Sequence, residues 1–453
     1  MPGLSHLVFT HPPVDALFAA EAQVRAMLRF EQALARAEAT VGVIPAAAAD
    51  VIATVCQAAD WDLDALAQQT LLAGNPAIPL VKMLTQRVAR LDAEAAKYVH
   101  YGATSQDVLD TALVLQLQAA LDLMEAQLRP LLELLAALAT AHRNTLMTGR
   151  TLLQQARPIT FGYKVAGWLD GLLRAQGRLT RLRAEALVLQ FGGAVGTLAT
   201  LGVQEPAVIA QLAGELQLPA PMLPWHGQRD RLVDLAAALG IVCGNLGKLA
   251  HDVVLLMQTE VGEVHEAAAA GKGGSSAMPH KRNPVTATFL VAIAGRTPAL
   301  VHTLLAGLSQ HEHERAAGAW HAEWEVLPEL CRLTAAALAH AHDLLSGLEV
   351  DRDRMRHNLE LTQGLIFAED VTAALTPHLG KTAAHQLIEA ASQEAPRLGQ
   401  HLREYLLQLP EIQHCLSPDE LSALFDPARA TGLSHYFTDA VLARRRLALN
   451  SEQ

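Results

Sequence analysis

The chain has 453 residues, of which 51% are hydrophobic, only 4% aromatic and 18% charged, with a formal net charge of −11. That length points to about three structural regions, and the excess of Ala and Leu over aromatics favours close-packed helices over sheets. The acidic balance argues against a nucleic-acid partner. No charge-free apolar run of membrane-spanning length occurs, the start MPGLSHLVFTHPP lacks signal-peptide blocks, and Cys56, Cys243, Cys331 and Cys415 show no metal spacing, so a cytoplasmic protein with reduced, mostly buried thiols is expected.

Residues 1–109 read as shorter helices with breaks at Pro45, Pro76 and Pro79. The string HYGATSQD at 100–107 comes just before the first long helix, where backbone donors and hydroxyls make a natural carboxylate site. A plain N-cap by Thr104 or Ser105 would explain the same hydroxyls. From Val114 the apolar residues Leu117, Leu121, Met124, Leu128, Leu131, Leu135 and Leu138 alternate three and four apart, which is a long-helix seam.

Next comes GRTLLQQARPITFG at 149–162, read as the opening of a second long helix over 158–189, with Gln154 available as a donor. A polar knot of His226, Gln228 and Arg229 follows a Pro-Trp turn and either faces a ligand or caps the next helix. A second seam runs through Leu232, Leu235, Leu239, Val242, Leu246, Leu249, Val253 and Leu256. Helices over 284–305 and 320–345 complete a set of five long ones, a bundle spanning residues 110–349. Pro130 and Pro298 are expected to kink or break their helices. Residues 350–453 read as a cap of short helices broken near Pro377, Pro410 and Pro427.

The most informative segment is GKGGSSAMPHKRNP at 271–284. Gly271, Gly273 and Gly274 permit positive φ and let the loop fold over a ligand. Ser275, Ser276, Lys281 and Asn283 supply a proton-transfer group and oxyanion donors, and Pro284 suits the first residue of a helix. No Gly-Lys-Ser/Thr closes it and no strand pattern precedes it, so it is not a Walker loop. His311, His313, Glu314 and His321 have no metal-ligand spacing, and no metal or cofactor is expected. Arg315 among them is the candidate to grip a carboxylate bidentately, unless it pairs with Glu312 or Glu314 on the surface.

The 271–284 loop resembles the signature of the fumarase/aspartase superfamily, Gly-Ser-Ser-x-Met-Pro-x-Lys-x-Asn, and matches it completely. The resemblance implies an all-α fold with a small N-terminal domain (1–109), a central five-helix bundle (110–349) and a small C-terminal domain (350–453). It also implies a homotetramer with each active site built from three subunits. Those enzymes add and remove groups β to a carboxylate through an enolate-like dianion. Residue by residue, the resemblance makes Ser275 the proton-transfer serine and Lys281 with Asn283 the enolate-stabilising pair. It makes Thr104 and Ser105, in a matching Thr-Ser-x-Asp string, carboxylate-binding residues, and turns His100 toward the substrate. Ser276, Met278, Gln154, Gln228 and Arg315 are the further expected substrate contacts. A serine is too weak an acid to act alone at neutral pH, so Lys281 and backbone amides would have to stabilise its alkoxide.

The sequence departs from its relatives at one proton relay. Fumarase, adenylosuccinate lyase and argininosuccinate lyase place histidine where this chain has Leu152, and several members place its glutamate partner where Thr288 stands. An amine leaving group needs an acid, whereas a carboxylate, whose conjugate acid has a pKa of about 4, leaves unaided. Run backwards, expulsion of a carboxylate is a lactonisation. Strings such as AGNPAIPLVKML, LQFGGAVGTLATLG, PWHGQRDR, HEHERAAGAWHAEWEVLPEL and GLIFAEDV are similar to the bacterial branch of the 3-carboxy-cis,cis-muconate cycloisomerase family, implying a small tricarboxylate substrate and no membrane or nucleic-acid partner. An adenylosuccinate lyase-type enzyme is the alternative, weakened by the absence of histidine between His11 and His100. A non-catalytic structural member is the other.

Overall fold

The three-and-four spacing of apolar residues becomes helix wherever it is sustained. In the computed structural model, which describes residues 4–451 apart from 270, 275, 276 and 279, the chain is all-α, with 69% of it helical. We label α1 (Ala20–Thr40), α2 (Ala77–Leu91), α3 (Ser105–Ala141), β1 (Leu146–Thr151), β2 (Gln154–Thr160), α4 (Phe161–Ala186), α5 (Asp230–Leu256), α6 (Val285–Leu308) and α7 (Ala319–Ser346). The five expected long helices are α3 to α7. Every residue of the second seam is buried on α5, and on α3 every one from Val114 to Leu135 is buried, with Leu138 partly covered.

The described chain divides into two compact units. One holds Met1–Leu128, Ala175–Gly244 and Ala292–Ala339, the other Arg129–Arg174, Asn245–Val291 and His340–Gln453. The boundaries fall inside the five long helices. In the first unit α1 packs on the helices Ala46–Cys56 and Glu205–Leu216. In the second, the short helices of the C-terminal region close over Ile366, Phe367, Val371, Leu375, Ile388 and Leu402.

Several local expectations change. Pro130 and Pro298 interrupt neither α3 nor α6, and Pro328 likewise lies within α7. Long helices can absorb one missing N–H when neighbouring turns are held by burial on the seam. Pro79 sits in the first turn of α2, where its missing donor has no intrahelical partner to lose, so it breaks nothing. Pro377 likewise lies inside the helix Ala368–Leu379. Pro284 precedes α6, its carbonyl accepting from the Thr288 N–H at 2.9 Å, so it stands at the cap and not inside the helix.

The string at 149–162 does not open a helix: it forms the antiparallel hairpin β1–β2, and α4 starts only at Phe161. Gly149 marks a register shift, and a Cβ there would lie 2.9 Å from the Arg157 carbonyl oxygen. The turn residues Leu152 and Leu153 both have positive φ, 51° and 65°. Tight hairpins demand this of their two central positions, which usually hold Asn or Gly.

By length and composition α5 and α6 would each suffice to cross a bilayer. α5 is a core helix, 61% of its most apolar stretch being buried, whereas α6 has 22% of that stretch covered and carries Arg296 in its middle.

Candidate functional site

The N-terminus of α3 in the first unit gathers most of the polar strings. Thr104 precedes the helix, and the Asp107 carboxylate reaches back to accept its backbone N–H at 3.0 Å. Position, then, is that of an N-cap, but the hydroxyls serve something else. Arg315 donates to Thr104 Oγ1 at 2.9 Å, to Ser105 Oγ at 3.1 Å and to Gln106 Oε1 at 3.2 Å. Arg315 thus meets three neutral acceptors and not Glu312 or Glu314, the alternative surface pairing, and these orient the guanidinium without cancelling its charge. Beside it lies a cleft of about 400 Å³ lined by Gly74, Asn75, Gln106, Arg315, Trp320 and His321.

Beneath this layer Gln106 also donates to Asp110 at 3.1 Å and to the His226 carbonyl at 3.0 Å. Arg229, 1% exposed, holds Asp110 bidentately at 2.6 and 3.0 Å and Glu323 at 2.5 and 3.1 Å, and stacks over Trp225. Desolvation opposes its charge, yet the two carboxylates more than offset that and raise its pKa. Burial likewise pushes Glu323 up, but the His311 hydrogen bond and Arg229 outweigh it and hold its carboxyl below the usual range. Asp107 is fully buried and accepts from the backbone N–H groups of Gly192 and Gly193 and pairs with His226 Nε2 at 2.7 Å. The polar knot thus buries Arg229 and His226, while Gln228 stays exposed. His311 faces Glu323 and His321 faces the Gly74 carbonyl, so these two histidines point to separate partners.

His100, with φ of 59°, sets Nδ1 2.6 Å from Glu31 Oε1. Burial lowers its proton affinity, but the Glu31 charge and hydrogen bond, with Asp107 adding, raise the pKa above the ordinary value.

The signature loop belongs to the second unit. Gly271 and Gly273 have φ of 79° and 70° and so use the freedom that glycine permits, whereas Gly274 does not. Asn283 N–H donates to the Gly273 carbonyl at 2.8 Å and closes the base of the loop, where a Cβ on Gly273 would lie 2.8 Å from the Asn283 oxygen. Lys272 pairs with Asp343, and Arg282 with Glu349 and the Glu266 carbonyl; Lys281 is exposed. The start of α6 takes no external anion, because buried Glu266 accepts from Thr286 N–H at 3.2 Å and Ala287 N–H at 2.9 Å. Ser275 and Ser276 lie outside the described residues; Met278 is 43% exposed. Gln154 is exposed at the hairpin end, next to Leu152, 97% exposed, and Leu153. Burial holds the thiols of Cys243 and Cys331 up at about 11 and about 12, which fits inert structural cysteines.

Glu31, Asp110, Glu266 and Glu323 are the residues that sequence reasoning missed. Glu31 and Glu38 stand seven apart on the buried face of α1 among Val24, Met27, Leu28 and Leu34, and a carboxylate inside an apolar seam is a readable signal. Gln106 and Asp110, four apart on α3, give a similar one.

A helical enzyme scaffold of the lyase type is the class that this fold and these motifs define. The lyase family model matches residues 9–298, and the adenylosuccinate lyase C-terminus model matches 364–441. The chain is 53% identical over 435 residues to the 3-carboxy-cis,cis-muconate cycloisomerase of Pseudomonas aeruginosa, covering 96% of this chain and 95% of that one. It is 44% identical to the nitrosuccinate lyase of Streptomyces davaonensis, covering 96% and 94%. The crystal structure of 3-carboxy-cis,cis-muconate lactonizing enzyme from Pseudomonas putida superposes with a TM-score of 0.91 at 47% identity, covering 98% of this chain and 99% of that one. The chain belongs to the lyase family of the fumarase/aspartase superfamily.

Proposed function

We propose that the chain is a cycloisomerase that closes 3-carboxy-cis,cis-muconate to 4-carboxymuconolactone in protocatechuate breakdown, working without a cofactor. Relatives with that activity in their names match it at higher identity than nitrosuccinate lyase does. The observation that carries the reading is the apolar tip of the β1–β2 hairpin. Leu152 stands where fumarase, adenylosuccinate lyase and argininosuccinate lyase keep a proton-donating histidine, so the chemistry is one whose leaving group, in reverse, needs no proton.

In the forward direction one substrate carboxylate adds to the conjugated double bond, forming a C–O bond, and the displaced π pair becomes an enolate-like dianion on a second carboxylate. Ser275 then delivers a proton to the carbon α to that carboxylate. Lys281 and Asn283 stabilise the dianion. Arg315, with Thr104 and Ser105, grips a carboxylate, His100 meets another, and Gln154, Ser276, Met278 and Gln228 complete the surroundings. The charge on Arg315, held only by neutral acceptors, supports this assignment.

We read the assembly as a homotetramer with shared active sites and a three-part protomer divided near residues 109 and 349. The sparsely covered apolar helix α6 supports self-association, because a face of that kind costs free energy in water until a copy covers it. We also read it as cytoplasmic, with small carboxylates as its only partners.

The test is loss of the conjugated-diene ultraviolet absorbance of 3-carboxy-cis,cis-muconate on adding protein, with adenylosuccinate and nitrosuccinate as controls. Turnover of either control with none of the carboxymuconate would overturn the reading. Replacing Lys281 or Asn283 by alanine is expected to depress kcat more than it raises KM, since their bonds strengthen as charge develops. A pure KM effect would make them ordinary carboxylate binders.

Leu152→His is expected to leave lactonisation unchanged or impaired and to create no adenylosuccinate cleavage, with or without Thr288→Glu. Within one protomer the new ring would be solvated, not desolvated, because the position is 97% exposed. Histidine also tolerates positive φ better than leucine does. Any loss therefore reports on substrate geometry and not on folding, and measuring both activities with a melting curve separates the two.

A further inference from the structure

Glu31 is 1% exposed on α1, and its Oε2 has no hydrogen-bond partner, so the His100 ring is its one side-chain partner among the described residues. One turn pair further along the same face, Glu38 is fully buried with neither carboxyl oxygen paired. The His100 side chain is 17% exposed, so part of it reaches solvent while Nδ1 is held against the buried Glu31 carboxylate. A carboxylate accepts only; whichever state the ring is in, Nδ1 must carry the hydrogen that faces Glu31.

We propose that Glu31 is a positioning residue for the proposed reaction: it clamps His100 through Nδ1 and keeps it an imidazolium, so that Nε2–H meets a substrate carboxylate as a cationic donor. The inference rests on the reading of His100 as a substrate contact. A trianionic substrate needs several cations, and the chain's net charge of −11 supplies no favourable background field. The groups that face this pair are Glu31 and Glu38 from α1, Cys56 from the helix Ala46–Cys56 and Asp107 from α3. Burial, with Glu31 adding, pushes Glu38 up to about 9, so at neutral pH it holds its proton and adds no further charge beside the Glu31–His100 pair. Burial and Glu31 likewise push the Cys56 thiol up, which keeps it neutral. The raised pKa of His100 agrees: its positive charge is present at low pH and is lost only as pH rises through that raised value.

Glu31→Gln separates charge from position, because the amide oxygen still accepts from Nδ1–H. In protein labelled at histidine, with His100→Gln identifying the signal, the His100 ring is expected to lose its proton at lower pH in Glu31→Gln than in wild type. KM for 3-carboxy-cis,cis-muconate is expected to rise about tenfold near neutral pH with kcat within about twofold, and the gap is expected to narrow as pH falls and the variant's ring also takes up its proton. A His100 signal that titrates over the same range in both proteins, or a KM change independent of pH, overturns the proposal. Should Glu31→Gln fail to fold, the wild-type titration decides: a ring titrating at or below the ordinary histidine range overturns it. Wild-type protein inert toward the carboxymuconate would refute the proposed function instead, leaving the titration to judge the pairing by itself.

Discussion

Arg229→Ala is expected to destabilise the protein by about 3–5 kcal/mol, the loss typical when one partner of a buried ion pair is removed. The side chain makes two bonds to Asp110 and shares Glu323, both carboxylates being within a few per cent of full burial, and covers the Trp225 ring. Without it two buried carboxylates face each other across a cavity, with Trp320 and Gln106 on Asp110 and His311 on Glu323 as the remaining partners. Glu323 then loses part of what holds its carboxyl down while burial still pushes it up, so the variant is penalised most where its buried carboxylates are charged and less as pH falls. Wild-type Glu323 has the opposite sign: its lowered pKa contributes stability above the unfolded value, which is lost as pH falls through the folded one. The stability gap between the two proteins should therefore narrow as pH drops from neutrality toward the ordinary glutamate value of 4.5. Urea unfolding at several pH values measures this. The triple change Arg229→Met, Asp110→Leu, Glu323→Leu should recover most of the loss, because an apolar substitute for the whole cluster leaves no charge stranded. A gap below about 1 kcal/mol for Arg229→Ala would mean that water, not burial, surrounds the cluster.

Ser275→Ala is expected to lower kcat by about 10²-fold or more with the assembly intact, the effect of removing a general acid–base group. The loop around it supports an electrostatic role: Lys272 and Arg282 are engaged with Asp343 and Glu349, and Lys281 is exposed and available to stabilise a developing alkoxide or enolate. Because Glu266 already occupies the Thr286 and Ala287 N–H groups, the start of α6 is not available to share that work, which falls to the loop itself. Single-turnover kinetics on the carboxymuconate, with gel filtration for the assembly, check the result. Turnover near the wild-type rate would remove Ser275 from the mechanism.

The long helices were legible because burial acts on a simple period. Residues such as Leu235, Leu239, Val242 and Leu246 repeat every three or four positions, and that spacing gives one continuous stripe on a helix and on no other regular structure. The signature loop and the Thr104-Ser105 string were legible for a different reason, since several chemically specific residues at fixed spacing are improbable as plain surface. The hairpin at 146–160 was not, because its turn uses Leu152 and Leu153 at positive φ, without the Asn-Gly chemistry that marks such turns. Proline positions misled in the same way. Pro130 and Pro298 weaken one local bond each, and the packing of whole helices outweighs that.

By itself, then, the sequence determined the helical class and the family, since period and motif are properties of neighbours along the chain. Which charge meets which partner was decided only in three dimensions. Arg315 meets Thr104, Ser105 and Gln106 from more than two hundred positions away, with separations of 211, 210 and 209, and Arg229 meets Asp110 and Glu323 at separations of 119 and 94. His100 meets Glu31 across 69. Local pattern cannot rank such pairings, because each guanidinium, imidazole or carboxylate has many suitable counterparts along the chain, and desolvation selects among them only when the helices that carry them have packed.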